Sequence, residues 1–280
     1  MPLTAAQADA IIAATRAVAA AEIAPRFRNL DAGDVDAKST WDDLVTVADT
    51  AAERALTAQV EAILPGDRVI GEEAVSADPG LLDRVGEGRV TIIDPIDGTW
   101  NFAHGVANYG VIVAVLEDGE TVWGLLYDPS FDDWVAAHRG GGAVHVRAGR
   151  ARPLRTEAAD APLDTLRGNT GLYHLPQGIR ADIAATAPSF RRMTSQGSSL
   201  HEYRCMATGA SDFCLNGMLN VWDHAAGALI LDEAGGCSRT LDGTPYAPTM
   251  REGYLLNARS PALWERLAET FRGAFDDLRV

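Results

Sequence analysis

The stretch Asp94-Pro95-Ile96-Asp97-Gly98-Thr99-Trp100-Asn101-Phe102 constrains this chain more than any other, because it joins an apolar run to a dense set of oxygen ligands. The preceding Val90-Thr91-Ile92-Ile93 is β-branched throughout and reads as a strand buried on both faces. Asp94 is then expected at the C-terminal end of that strand. Pro95 keeps Asp94 out of the helical region and fixes its own φ, so a stiff turn presents Asp94 and Asp97 toward one point. Gly98 leaves the backbone open to an anion, and Thr99 brings a hydroxyl to the same place. A lone D-x-x-D reads as a solvated turn, so the weight of this one depends on what accompanies it elsewhere.

A chain of 280 residues is long enough for one large α/β domain or two smaller ones. Its 39 acidic and 24 basic residues give a formal charge of -15 and a pI near 4.7, which argues against nucleic acid or an anionic membrane as the main partner. The cysteines Cys205, Cys214 and Cys237 are odd in number and form no C-x-x-C pair, so they read as small core residues in a reduced, cytoplasmic setting. The N-terminus lacks a basic region followed by an apolar core, and no run approaches the ~20 apolar residues of a membrane helix. A soluble, unprocessed protein is expected.

Thr4 to Ala24 has helical periodicity, with Thr4 and Gln7 as a capping box and Pro25 beyond its end. A polar segment carrying Lys38 leads to Leu44-Val45-Thr46-Val47-Ala48, which reads as a short strand, and Asp49 then begins a second helix. That helix buries Ala52, Leu56, Val60, Ile63 and Leu64 and stops at Pro65-Gly66. Val69-Ile70 followed by Gly71-Glu72-Glu73 repeats the arrangement of carboxylates after a short apolar strand. Tyr109 to Leu116 and Thr121 to Tyr127 flank Asp118-Gly119 as a hairpin, and strands at Trp134 to Ala137 and Ala143 to Val146 continue the sheet. Gly140-Gly141-Gly142 is a connecting turn rather than a nucleotide loop, since no G-x-G-x-x-G follows.

The polar stretch Arg147 to Asp164 suggests a division into a unit of residues 1–150 and a second of residues 151–280. In the second unit a helical pattern covers Ile179 to Ala185, and Gly197-Ser198-Ser199 opens a helix through Met206, as an N-cap in preference to an anion site. Ser211 to Leu215 reads as a strand. The small and apolar residues of Trp222 to Gly236 describe a closely packed helix with Asp223 as N-cap and Gly235-Gly236 as its stop.

Gly71-Glu72-Glu73, Asp94 to Phe102, and Trp222-Asp223-His224-Ala225-Ala226-Gly227 together resemble the inositol monophosphatase family of magnesium-dependent, lithium-sensitive phosphatases. Lys38, Leu44-Val45-Thr46 and Asp49 also fit, so the resemblance covers most of residues 1 to 240. It implies an α/β fold layered α-β-α-β-α, shared with the fructose-1,6-bisphosphatases, and a homodimer. It further implies that Glu72, Asp94 and the Ile96 carbonyl bind a first metal ion and that Asp94, Asp97 and Asp223 bind a second. A third, weaker ion would use Glu72. Thr99, helped by Asp49, resembles the hydroxyl that positions the attacking water, and Gly98 and Thr99 resemble the amides that hold phosphate. Lys38 is a further phosphate-side candidate.

The residue types agree with that chemistry. An all-oxygen carboxylate set selects a hard ion such as Mg2+ or Mn2+ over zinc, and paired ions ~4 Å apart promote in-line displacement at phosphorus. His104 and His224 beside the motifs read as supporting or structural. One departure is Asn216: seven positions before Asp223, inositol-specific relatives carry a glutamate that grips sugar hydroxyls. The expected substrate is a small phosphorylated metabolite, a soluble inositol-phosphate-like ester, with Asn216 shifting preference away from myo-inositol monophosphate itself. Histidinol phosphate, a 3'(2'),5'-bisphosphate nucleotide or fructose bisphosphate are the alternatives, as is a role mainly through protein partners.

Overall fold

The computed structural model describes residues 3–156 and 161–275. Helix α1 (Ala5–Val18) is capped by Thr4 and Gln7 in the expected box and runs on through a π-helical turn, Ala19–Ile23. A small ribbon of β1 (Val35–Ala37) and β2 (Leu44–Thr46) leads to α2 (Val47–Ile63), β3 (Arg68–Gly71) and the short α3 (Glu72–Ala77). Then come β4 (Arg89–Asp97), α4 (Thr99–Ala103), and a meander of β5 (Gly110–Glu117), β6 (Glu120–Asp128), β7 (Asp133–His138), β8 (Gly142–Arg147) and β9 (Arg150–Leu154). The remainder is β10 (Arg167–Thr170), α5 (Gln177–Thr186), β11 (Arg192–Thr194), α6 (Ser199–Thr208), β12 (Phe213–Asn216), α7 (Val221–Glu233), β13 (Cys237–Thr240), β14 (Leu255–Ala258) and α8 (Pro261–Phe275).

The seven strands β3 to β9 form one sheet in chain order, antiparallel except for the β3/β4 pair. A second sheet has the order β11-β10-β12-β14-β13. Alternation along the strands explains the layers. On β5, Val111, Val113 and Val115 face a core with α1 and α2, whereas Ile112, Ala114 and Leu116 face a core with α6 and α7. The second sheet packs its Phe213, Leu215 and Leu256 against Ile179 and Ile183 of α5 and Trp264, Leu267 and Phe271 of α8. With α6 and α7 also contacting β12 and β13, the order of layers is α-β-α-β-α, as expected. Asp118 and Gly119 take φ values of 48° and 83°, the positive pair that a tight hairpin turn requires.

Several local expectations are corrected. Strand β4 does not end at Asp94 but continues to Asp97, with Asp94 opposite Ile112 and Asp97 opposite Gly110. One extra residue is thus accommodated as a bulge at Pro95, which has no N–H to give to the ladder, and the bulge re-aims the carboxylates. Val47 and Ala48 belong to α2 rather than to a strand, because Thr46 and Asp49 form a capping box one turn earlier than expected. Asp49 is therefore the third helical residue. Asp223 is likewise third in α7, with Asn220 as N-cap, so both acids sit in first turns where the helix dipole favours negative charge. The polar stretch after Arg147 contains β9, the outermost strand of the large sheet. Of the cysteines, Cys214 and Cys237 are buried but Cys205 is only partly so. No helix among the described residues is long and apolar enough to cross a membrane.

Candidate metal centre

The bulged end of β4 and the first turn of α7 bring Asp94, Asp97 and Asp223 together, each offering a carboxylate oxygen within 4.8 Å of the others. Asp94 is 2% exposed, and its Oδ1 is a buried oxygen with no hydrogen-bond partner among the described residues. An orphaned buried acceptor among like charges is costly unless a cation meets it. Burial first, and then the charges of Glu72, Asp97 and Asp223, drive the Asp94 carboxyl well above its usual range. Burial and then Asp97 and Glu72 do the same to Asp223. The donor set is all oxygen, anionic and desolvated, which fits a hard divalent cation.

Asp97 has a second duty. Its Oδ2 accepts from the Ser198 hydroxyl and from Leu200 N at 2.8 Å, and its Oδ1 accepts from Ser199 N at 3.0 Å. Ser198 is the N-cap of α6, as expected, and the anion held at that helix terminus is this carboxylate. Burial pushes Asp97 up to about 7, with the Ser198, Leu200 and Ser199 donors pulling it back.

Thr99 stands beside this cluster, its Oγ1 3.1 Å from Asp49 Oδ1 and 3.0 Å from the Ile96 carbonyl oxygen. Asp49 is fully buried, and its other oxygen takes the N–H and hydroxyl of Thr46 at 2.8 and 2.5 Å. Burial raises Asp49 to about 6 against the pull of Thr46. Gly98 adopts φ 84°, and a Cβ there would lie 2.9 Å from the Asn108 carbonyl oxygen, so this turn needs glycine on two counts.

Glu72 lies at the rim, where its charge raises Asp94, Asp49 and Asp223, but its own carboxylate binds Lys38. Lys38 Nζ bridges Glu72 Oε1 at 2.9 Å and Glu73 Oε1 at 2.6 Å, with its side chain 12% exposed. Burial works against this ammonium, yet the two glutamates hold its pKa above the usual value. Lys38 is therefore a fixed part of the carboxylate array. Burial and then Glu72 push Glu73 up to about 8.

Sequence reasoning missed the residues that brace the site. Glu53, 7% exposed, accepts from Glu73 N at 2.8 Å and Ala74 N at 2.9 Å, and so holds the first turn of α3. Its signal was a glutamate on the buried stripe of α2, one turn after Asp49. Gly71 permits this approach, since a Cβ there would lie 2.1 Å from Glu53 Cδ. Gly71→Ala is expected to destabilise the protein by about 1 to 3 kcal/mol, read from denaturant melts, because Glu53 must be displaced. An unchanged midpoint would show that Glu53 moves freely. Asn101 Nδ2 reaches the carbonyls of Asn108, Gln196 and Gly197 at 2.8, 3.0 and 3.0 Å, tying the motif to the approach of α6. His224 is buried between the Tyr203 hydroxyl and the Met218 carbonyl, and the exposed His104 stacks on Trp100.

The match to the inositol monophosphatase family model spans residues 5–275. The chain is 31% identical to an inositol-1-monophosphatase of Bacillus subtilis over 242 residues, 85% of this chain and 86% of that one. It is also 31% identical over 210 residues to a fructose-1,6-bisphosphatase/inositol-1-monophosphatase of Thermotoga maritima, covering 75% and 76% of the two. Among solved structures, an IMPase of Thermotoga maritima superimposes with a TM-score of 0.80 over 97% of this chain and 99% of its own, at 24% identity. The layered fold, the converging carboxylates and these similarities lead to one conclusion: the chain belongs to the inositol monophosphatase family.

Proposed function

We propose that this protein is a metal-dependent phosphomonoesterase acting on a small phosphorylated polyol of the inositol phosphate kind. The observation that carries this reading is the convergence of Asp94, Asp97 and Asp223 around an unpartnered buried oxygen, with Thr99 and Asp49 alongside. These three acids, with Glu72 and the Ile96 carbonyl, would hold two or three Mg2+ ions, or Mn2+ in their place. Bound there, the ions would supply Lewis acidity toward the phosphate and lower the pKa of water. The Thr99 hydroxyl would orient the attacking water, with Asp49 accepting the Thr99 hydroxyl hydrogen. The amides of Gly98 and Thr99 hold the phosphate. Lys38, fixed by Glu72 and Glu73, puts positive charge where a dianion enters, and Asn216 meets the alcohol portion.

On this reading residues 1–150 supply Asp94 and Asp97 and residues 151–280 supply Asp223, so the site closes only when both units are folded. The same reading carries a cytoplasmic homodimer and inhibition by lithium. The test is phosphate release from a panel of inositol monophosphate, histidinol phosphate, a 3'-phosphoadenosine nucleotide and fructose bisphosphate. Release is expected to be strongest with the polyol monophosphate in Mg2+ or Mn2+, to disappear in chelator and to be suppressed by Ca2+, whose looser coordination positions water poorly. Undiminished release in chelator rules the reading out.

A further inference from the structure

Glu202 is a buried carboxylate that the chemistry above does not use. It projects from α6, is 5% exposed, and accepts at Oε2 from Cys214 Sγ at 3.1 Å and from Asn216 Nδ2 at 3.2 Å. Burial drives its pKa up, while Cys214, Asn216 and the Gln196 backbone draw it back. It lies in the first turn of α6, the turn whose Ser199 and Leu200 N–H groups hold Asp97, which places it beside the metal centre. Asn216, at the partly exposed end of β12, accepts in turn at Oδ1 from Asn257 Nδ2 at 3.2 Å. Asn257 is fully buried and takes the Tyr203 hydroxyl at 3.3 Å.

An ionised carboxylate only accepts, so the edge of Asn216 that faces Glu202 is its NH2, and its carbonyl faces Asn257. Among the described residues these hydrogen bonds use one N–H and one lone pair of the carboxamide, and Cys214 lies against its NH2 side. A carbonyl lone pair is left for a ligand.

We propose that Glu202 is a positioning residue for the alcohol portion of the substrate: it locks the Asn216 carboxamide so that a carbonyl lone pair meets a substrate hydroxyl beside the metal centre. Selection of a polyol phosphate by an uncharged side chain follows from that lock. The inference rests on the phosphatase reading, and the experiment separates the two.

Wild type, Glu202→Gln, Asn216→Ala and the double variant are assayed in Mg2+ on myo-inositol 1-phosphate and on phenyl phosphate, which has no hydroxyls to read. Glutamine can donate as well as accept, which frees Asn216 to turn over. Glu202→Gln is expected to raise KM for the inositol ester by about 10-fold, the loss of one well-placed hydrogen bond, with kcat and phenyl phosphate turnover unchanged. The double variant should be no worse than Asn216→Ala, because the two residues act as one unit. Glu202→Asp, which keeps the charge but falls short of Asn216, gives the same result if the glutamine variant does not fold. Parallel losses on both esters, or an unmoved KM for the inositol ester, overturn the proposal. A wild type that releases phosphate from neither ester overturns the phosphatase reading, and this inference with it.

Discussion

Asp94→Asn lowers phosphate release by ~10^3-fold or more, while the metal-free variant melts at the same temperature as the wild type or higher. The activity loss follows from the geometry: Asp94 is the carboxylate pressed by Glu72, Asp97 and Asp223 at once, and its Oδ1 has no hydrogen-bond partner among the described residues. On the proposed reading Asp94 is a metal ligand, whose loss would cost several kcal/mol of transition-state stabilisation, and each ~1.4 kcal/mol is tenfold in rate. The stability effect has the opposite sign. Without a cation the cluster is strained by burial and like charge, and an uncharged isostere relieves both.

The same strain sets a pH dependence. In the folded, metal-free protein Asp97 is raised from 3.8 to about 7, Asp49 from 3.8 to about 6 and Glu73 from 4.5 to about 8. The folded state therefore binds more protons than the unfolded one across this interval, and stability falls as pH rises from about 4 through 8. The metal-free wild type should melt higher at pH 5 than at pH 8, and Mg2+ at pH 8 should restore what the rise in pH removed, because it binds only the folded state. That restoration shrinks in Asp94→Asn. A variant that unfolds much earlier than wild type in chelator would make Asp94 a structural turn residue instead.

What could be read from the sequence was what is local. The β-branched run before Asp94, the Thr4 and Gln7 box and the Asp118-Gly119 turn each act over a few residues, and each stands as expected. The helix starts at Thr46 and Asn220 were displaced by a few residues, because an acid in the first turn and an acid at the cap look alike in sequence. The bulge at Pro95 depends on pairing with β5, and register is a property of two strands. The braces are the least local part. Asp97 meets Ser199 across 102 residues, and Glu72 meets Lys38 across 34. Glu53 alone left a trace, as a charge on an apolar stripe. Spacing singled out the acids; the partners that aim them came from topology.

Thr99→Ala reduces kcat by about 10^2-fold or more and leaves KM and melting temperature near wild type, as expected for a group that acts by orienting and relaying a proton. Among the described residues its hydroxyl hydrogen-bonds to Asp49 and the Ile96 carbonyl, so little of the fold depends on it. Thr99→Ser, which retains the oxygen, keeps most of the activity. Asp49→Asn is more complex, because the same carboxylate also caps α2 through Thr46. An amide has one carbonyl oxygen, so it can keep the cap or accept from Thr99 but not both. A loss of about 1 kcal/mol in stability should therefore accompany the fall in kcat. If Thr99 and Asp49 form one unit, the double variant is barely slower than Thr99→Ala, since a pair working together is disabled by either change. Steady-state rates on the four proteins decide it: losses that multiply would mean that Asp49 serves the helix and Thr99 the chemistry, with no relay between them.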